Sequence, residues 1–169
     1  MHDPSLPLPS HPPDMAASLA DLRSRLLGAG TTAALALIAD AVRRLLDADG
    51  ATVVLREGEF CHYADEDAIG PLWKGQRFPS GICLSGWVMR TGRAAAVPDV
   101  FADSRIPADA YRPTFVRSVA MVPVGRDPAL GALGAYWGLQ RWPDDRSLDL
   151  LSAIGAVAAP VLAACSRAS

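Results

Sequence analysis

Cys61, Cys83 and Cys165 are the three thiols of this 169-residue chain, and His2, His11 and His62 are its three imidazoles. An odd number of cysteines at wide, irregular spacing argues against a stapled secreted scaffold and for reduced thiols in a cytosolic protein. No CxxC pair or His/Cys cluster has the spacing of a metal site, so no structural zinc is expected. Neither a Ser/His/Asp set nor a pair of carboxylates at catalytic spacing is evident, and the chain reads as a non-enzyme. Cys83 is either a redox or ligand-contacting thiol or a buried structural one, the commoner fate. Cys61 and Cys165 read as structural.

A second set of side chains could recognise a ligand. Asp99, Asp103, Arg105, Arg112 and Arg117 crowd one charged segment, where guanidinium groups suit a ligand carboxylate or phosphate. The competing reading is that these charges pair with one another and hold a long loop in shape. From Lys74 to Arg126 the local charge is +5, against −7 for the remainder, a polarity that suits an anionic ligand or simply a solvated loop. Trp73, Phe78, Trp87, Tyr111, Phe115, Tyr136 and Trp137 gather most of the rings near the same segments. Aromatic walls with few polar anchors fit a small-molecule site as well as a core; Trp87 and Trp137 fit the core better.

These residues need a scaffold. Met15, Leu19, Leu22 and Leu26 recur at helical steps. A second helix follows, capped by Thr31 or Thr32, with Leu35, Ile38, Val42, Leu45 and Leu46 on its apolar face and Gly50 at its end. Ala51 to Leu55 and Glu59 to Ala64 read as a hairpin across Glu57-Gly58. Residues 65–79 read as a surface loop, Ser85 to Arg90 as a short helix and Ala94 to Val97 as a brief strand. Asp99 to Pro113 has the length and composition of a functional loop, a lid over something. Ser118 to Val124 and Gly131 to Leu139 form a second hairpin around Arg126-Asp127-Pro128. Asp144 or Asp145 caps a last helix striped by Leu148, Leu151, Ile154, Ala158 and Leu162, with Pro160 expected to bend it near its end. This order describes an α+β fold: an antiparallel sheet whose terminal helices are available to cover one face.

The run from Phe78 through Pro79, Gly81, Gly86, Trp87 and Gly92, continuing through Val97-Pro98-Asp99 to Pro107, resembles the centre of a GAF domain. The similarity goes on through Tyr111-Arg112-Pro113 and Ser118 to Val124, then Gly131 to Trp137, and covers roughly residues 31–165. It is nearest to the GAF sensor modules found beside histidine kinases and diguanylate cyclases. The resemblance implies helices on one face of the sheet and a lid-covered pocket on the other. Phe78, Cys83, Trp87, Asp99, Tyr111, Arg112, Phe115, Arg117 and Met121 are the candidate pocket residues. It further implies a small-molecule sensor, a homodimer built through the terminal helices, and a kinase or cyclase as partner.

Known GAF chemistries can be tested on the residues. Members that bind cyclic nucleotides carry an Asn-Lys pair, whereas this chain has no Asn and one lysine, Lys74. Members that tether a bilin use a Cys shortly before the strand at 118–124, and no Cys lies between Leu84 and Leu162. Free methionine sulfoxide reductases place cysteines at positions matched here by Ser85, Gly75 and a residue near Tyr111. A reductase built around Cys83 and a ligand-free interaction module therefore remain as alternatives, and the cofactor is unknown.

Composition sets the outer limits. Hydrophobic residues make up 50% of the chain and charged ones 20%, enough for a sizeable core. A net charge of −2 offers no basic footprint for nucleic acid. Residues 1–14 carry five prolines and read as a disordered leader rather than a signal peptide, with residues 15–169 forming the GAF domain and its N-terminal helical extension. The most apolar stretches, Ala33 to Val42 and Ala153 to Ala164, fall short of the run of about 20 residues that a membrane span needs. A cytoplasmic protein without membrane or nucleic-acid contact is expected. Leader and domain use up all 169 residues, so any output is expected through a partner in trans.

Overall fold

The computed structural model describes residues 14–168. The expected disordered leader falls almost wholly outside these residues. Two helices, α1 (Met15–Leu27) and α2 (Thr31–Leu45), precede the hairpin β1 (Gly50–Glu57) and β2 (Phe60–Ala68). A short strand β3 (Arg77–Pro79) and a single 3-10 turn (Ser80–Ile82) lead into α3 (Leu84–Thr91) and β4 (Ala95–Val97). A second 3-10 turn (Val100–Ala102) and a one-turn helix α4 (Ala108–Tyr111) carry the chain to β5 (Ser118–Val124), β6 (Gly131–Trp137) and α5 (Asp145–Arg167). The strands form one antiparallel sheet in the order β3-β2-β1-β6-β5-β4.

The first hairpin pivots on Gly58, whose φ of +59° lies in the left-handed region that glycine enters without a Cβ clash. Side chains of a strand alternate between faces, and here both faces are apolar. On one face Val53, Ala120, Val122, Leu133, Ala135 and Trp137 meet Leu22 of α1, Ile38 and Val42 of α2, and Leu151, Ile154 and Leu162 of α5. On the other, Val54, Cys61, Tyr63, Val119, Met121, Ala132 and Tyr136 meet Leu84 and Val88 of α3. The expected α+β architecture, with the terminal helices on one face, is the observed one.

Several local expectations are corrected. Thr31 and Thr32 lie inside α2; Gly30 is its N-cap and makes no side-chain hydrogen bond. Gly50 does not end α2, which stops at Leu45, but opens β1, where an added Cβ would lie 2.9 Å from the Phe115 ring. The loop expected at 65–79 is partly strand, because β2 runs on to Ala68 and β3 begins at Arg77. An acidic run, Asp65-Glu66-Asp67, hides that continuation. Its charges are met from outside the strand by Lys74 on Asp65 (3.0 Å), Arg43 on Asp67 (2.6 Å) and the Leu72 N–H on Glu66 (2.7 Å). Tertiary partners thus override a poor strand propensity.

Helix α5 spans 23 residues and is long and apolar enough to cross a membrane by length and composition. That exceeds the expectation from the Ala153 to Ala164 stretch, because the helix begins at Asp145 and runs on to Arg167. Its stripe of Leu151, Ile154, Ala158 and Leu162 is nevertheless buried against the sheet, which makes it a core helix of this fold. The Asp144 carboxylate caps it by accepting from the Ser147 N–H at 2.8 Å.

Helix α3 docks on the second face through Gly86. A Cβ there would stand 1.7 Å from the Ser80 carbonyl oxygen, so no side chain fits without moving backbone. Gly28, where an added Cβ would meet nothing within 4 Å, is the matched control. Gly86→Ala is expected to lower stability by about 1–3 kcal/mol, or several degrees of melting temperature, while Gly28→Ala leaves it nearly unchanged. Calorimetry of both variants checks this, and equal melting temperatures would show that α3 does not depend on the close approach.

Candidate functional site

The second face of the sheet, beneath α3 and residues 99–116, holds a chamber of rings filled by its own side chains. Trp73 sits at its centre, 4.6 Å from the Tyr111 ring and 5.5 Å from both Tyr63 and Tyr136, while Phe78 meets Tyr63 edge-on at 5.5 Å. Tilted and edge-to-face contacts of this kind are the favoured aromatic geometries. The Trp73 indole N–H donates to the Ala110 carbonyl at 3.0 Å, pinning the indole to α4.

Polar groups are buried among these rings. The Tyr136 hydroxyl shares a 2.9 Å hydrogen bond with the Thr52 hydroxyl. Gly134 makes this possible, since a Cβ there would lie 2.5 Å from the phenol oxygen. The Tyr63 hydroxyl reaches Ser85 Oγ at 3.2 Å, and Cys83 Sγ lies 3.3 Å from the same oxygen. Burial pushes the phenols of Tyr63, Tyr111 and Tyr136 above the ordinary tyrosine value, so all three remain neutral.

Cys83 is the N-cap residue of α3; its Sγ donates to the Pro79 carbonyl at 3.5 Å and lies 3.3 Å from Ser85 Oγ. The Cys61 thiol, helped by the Ser85 hydroxyl, the Gly86 N–H and the Arg90 guanidinium, holds the Cys83 thiol below its ordinary value. Cys61 goes the other way. It is raised by the Cys83 thiol and by burial. A lowered thiol at the N-terminal end of a helix beside an arginine is the environment of a reactive cysteine.

The cover over the chamber is tied mainly to itself. Asp103 grips the Arg105 guanidinium at 2.9 and 2.6 Å, which holds the carboxyl below its ordinary range, and that guanidinium lies 4.4 Å from the Trp87 ring centroid. The N–H groups of Ala102, Ile106, Ala110 and Arg112 all donate to carbonyls of residues 99–108. Ties to the rest of the fold include the Val100 N–H on the Arg117 carbonyl (2.9 Å) and the Trp73 indole on Ala110.

The candidate pocket residues therefore divide. Cys83, Tyr111 and Met121 are buried in the chamber, and Phe78, Trp87 and Phe115 pack against it. Asp99 caps the 3-10 turn by accepting from the Phe101 N–H at 3.0 Å. Arg112 is exposed and pairs with Asp109, while Arg117 stacks 5.3 Å over the Phe101 ring and donates to the Val116 carbonyl. Asp103 and Arg105 hold loop shape, as the competing reading of that charged segment has it. Thr52, Cys61, Tyr63 and Ser85 belong to the chamber but were not among the candidates; alternation of Cys61 and Tyr63 along β2 was the available signal. A groove of about 1170 Å3 lies elsewhere, at the rim where Arg56, Phe60, Ser80, Gly86, Arg90 and the turn after β5 meet the outer side of α5. Among the described residues no group of three or more His, Cys, Asp or Glu is placed to hold a metal.

An antiparallel six-stranded sheet with a helical layer on one face and a ring-rich layer under α3 on the other defines the α+β module. The GAF domain family model matches residues 31–162, and the chain belongs to that family. The GAF domain of an Acinetobacter phosphoenolpyruvate-protein phosphotransferase superposes with a TM-score of 0.78 at 13% identity, covering 91% of this chain and 96% of that one. The free methionine-R-sulfoxide reductase of Neisseria meningitidis, solved with its substrate, gives 0.77 at 20% identity over 100% of both chains. The GAF-B domain of DevS from Mycobacterium smegmatis gives 0.65 at 17% identity, covering 82% of this chain and 97% of that one. At these identities the likeness speaks to fold alone. No curated protein matches the sequence.

The buried hydroxyl pair allows a direct test. Tyr136→Phe leaves the Thr52 hydroxyl buried without its phenol and is expected to cost about 1–3 kcal/mol in urea unfolding. The double variant Thr52→Val/Tyr136→Phe is expected to recover much of that loss. Wild-type stability in the single variant would show that the pair contributes nothing.

Proposed function

We propose that this chain is a sensory GAF domain that takes a small, flat, mostly apolar molecule with one or two polar groups into the chamber under α3. The observation that carries the reading is the chamber itself: rings around a few buried hydroxyls and a thiol, covered by a segment hydrogen-bonded mainly to itself. Residues 99–113 act as the lid, and the ligand displaces Trp73 or Tyr111 from the space they fill. Cys83, Tyr111 and Met121 line the bound state, with Phe78, Trp87 and Phe115 at its margin.

In this reading the protein is cytoplasmic and pairs with a second copy through the outer faces of α1 and α5. A change in the chamber reaches that layer through β5 and β6, which contribute side chains to both faces. A histidine kinase or cyclase partner then receives the signal. A ligand shifts such a switch only by the difference in its affinity for the two states.

A second reading has its own support. Cys83 lies within the chamber with a lowered thiol, which favours a nucleophile acting on a sulfoxide, as in the free methionine sulfoxide reductases. The Cys83 side chain would attack the sulfoxide sulfur there, and a thiol donor would restore it.

A thermal-shift screen of nucleotides, amino acids, bilins and tetrapyrroles separates these readings. A ligand at a hundred times its Kd is expected to stabilise the fold by about 2.7 kcal/mol. Trp73→Phe, which shrinks the competing side chain, is expected to enlarge that shift. Turnover of free methionine sulfoxide with a thiol donor, lost in Cys83→Ser, would instead favour the reductase. No shift with any compound and no turnover would leave a packed interaction module.

A further inference from the structure

The rim groove of about 1170 Å3 runs from the β1–β2 turn past α3 to the turn after β5 and the outer side of α5. It exceeds the roughly 1,000 Å3 at which sites for small molecules usually stop, and the chamber rings Trp73, Tyr111 and Tyr136 are not among its walls. Arg56, Arg90 and Arg126 line it, one each from β1, α3 and the turn after β5. Elsewhere Arg43, Arg77 and Arg105 each grip a carboxylate, at 2.6, 2.7 and 2.6 Å. Among the described residues none of the three groove arginines has such a partner.

Two of these guanidiniums are anchored by backbone instead. Arg56 Nε donates to the Gly58 carbonyl at 3.5 Å, and Arg90 donates to the Ser80 carbonyl. Each anchor uses one N–H group and leaves the rest of the fork for a carboxylate. Glu59 and Asp127, on the two turns, also line the groove, so three guanidiniums stand against two carboxylates. A polyanion would set its surplus charge against those carboxylates, whereas a ligand with a few acids among apolar groups would not. The remaining walls are apolar or small. Phe60, with 47% of its surface in solvent, and Met89 supply hydrophobic ground. On α5 the lining is Ser152, Gly155, Ala156 and Ala159, which recur at helical steps and carry nothing longer than a hydroxymethyl, so a second helix can approach closely.

We propose that this groove receives an acidic amphipathic helix of a partner protein. The helix lies along the small-residue side of α5, its apolar side chains rest on Phe60 and Met89, and its carboxylates take the open edges of the Arg56, Arg90 and Arg126 guanidiniums. An amphipathic helix seated in a groove by anchors at helical spacing is a general mode of recognition. Carboxylate–guanidinium pairs then fix its direction and register. Such a helix touches α3, which covers the second face of the sheet, and α5, which covers the first, so one partner holds both covers. The chamber need not admit a ligand for this, and the proposal stands apart from the function proposed above.

The test is fluorescence anisotropy of two labelled helical peptides on the full-length chain, one with glutamates beside a leucine stripe and one with lysines in place of the glutamates. The glutamate peptide is expected to bind roughly tenfold more tightly or better, and to weaken as salt is added. Arg56→Glu and Arg126→Glu, both at exposed side chains, are each expected to weaken it roughly tenfold. Ala156→Trp, which fills the small-residue side of α5, is expected to remove binding, and Arg23→Glu on α1 to leave it unchanged. Melting temperatures of these variants are expected to match the native one; should one melt early, the peptide pair and the salt series on the native chain still decide. No binding of the glutamate peptide, equal affinity for the two peptides, or native affinity in the arginine variants would each overturn the proposal. So would displacement of the peptide by an equal concentration of glutamate or inorganic phosphate, which would make the groove a small-anion site, or tighter capture of a single-stranded oligonucleotide. A dimer that Ala156→Trp dissolves while the peptide stays unbound would give the groove to a second copy and overturn it as well.

Discussion

A sheet with two apolar faces has to be covered twice, and most of this structure follows from that requirement. β6 is buried along its whole length, with Leu133, Ala135 and Trp137 facing one way and Ala132 and Tyr136 the other. Apolar area left in water costs about 25 cal/mol for each Å2, so neither face of such a strand can stay open. Three long helices solve the problem on one side. On the other the cover is a short helix, two 3-10 turns and an irregular segment, which reach the sheet only because glycine stands where chains approach closely. Gly86 lets α3 meet the Ser80 carbonyl; within the sheet itself, Gly131 lets β6 pass the Val54 carbonyl, 2.1 Å from where its Cβ would stand.

The two covers differ in kind. The helical layer is aliphatic and self-supporting, each helix satisfying its own backbone. The opposite layer brings polar side chains inward: Ser85 from α3 meets Tyr63, and Tyr136 meets Thr52 across the β1–β6 pair. Buried hydroxyls confer no advantage unless paired, and here they are paired with one another. The result is a face on which aromatic surface, hydroxyls and two buried thiols share one core. That composition is what makes it the candidate site, and it is absent from the helical side.

Legibility in the sequence followed the same division. Helical periodicity in Leu19, Leu22 and Leu26 and in Leu148, Leu151, Ile154 and Leu162 made α1 and α5 readable, because such helices satisfy themselves locally and show one stripe. The hairpin strand Ser118–Val124 was read with its observed bounds. The continuation of β2 was not, since Asp65, Glu66 and Asp67 are neutralised only by Lys74, Arg43 and a loop amide from elsewhere in the chain. Six of the seven rings expected together gather at the second face, whereas Trp137 turns to the helical one, and the division of labour among Arg112, Arg117 and Asp99 was not visible. Those charges serve neighbours two to three residues away or a ring across the loop, and spacing along the chain does not distinguish such a partner from a ligand.

The central claim is that the aromatic chamber lies under a cover able to open while the helical layer stays closed. Native-state hydrogen exchange measures this directly. The account predicts that the amides of Ala102, Ile106, Ala110 and Arg112 exchange through local openings far below the global unfolding energy, while those of α2, β6 and α5 exchange only on global unfolding. Equal protection in the two sets would mean that the chamber has no separate way to open, and would contradict the account.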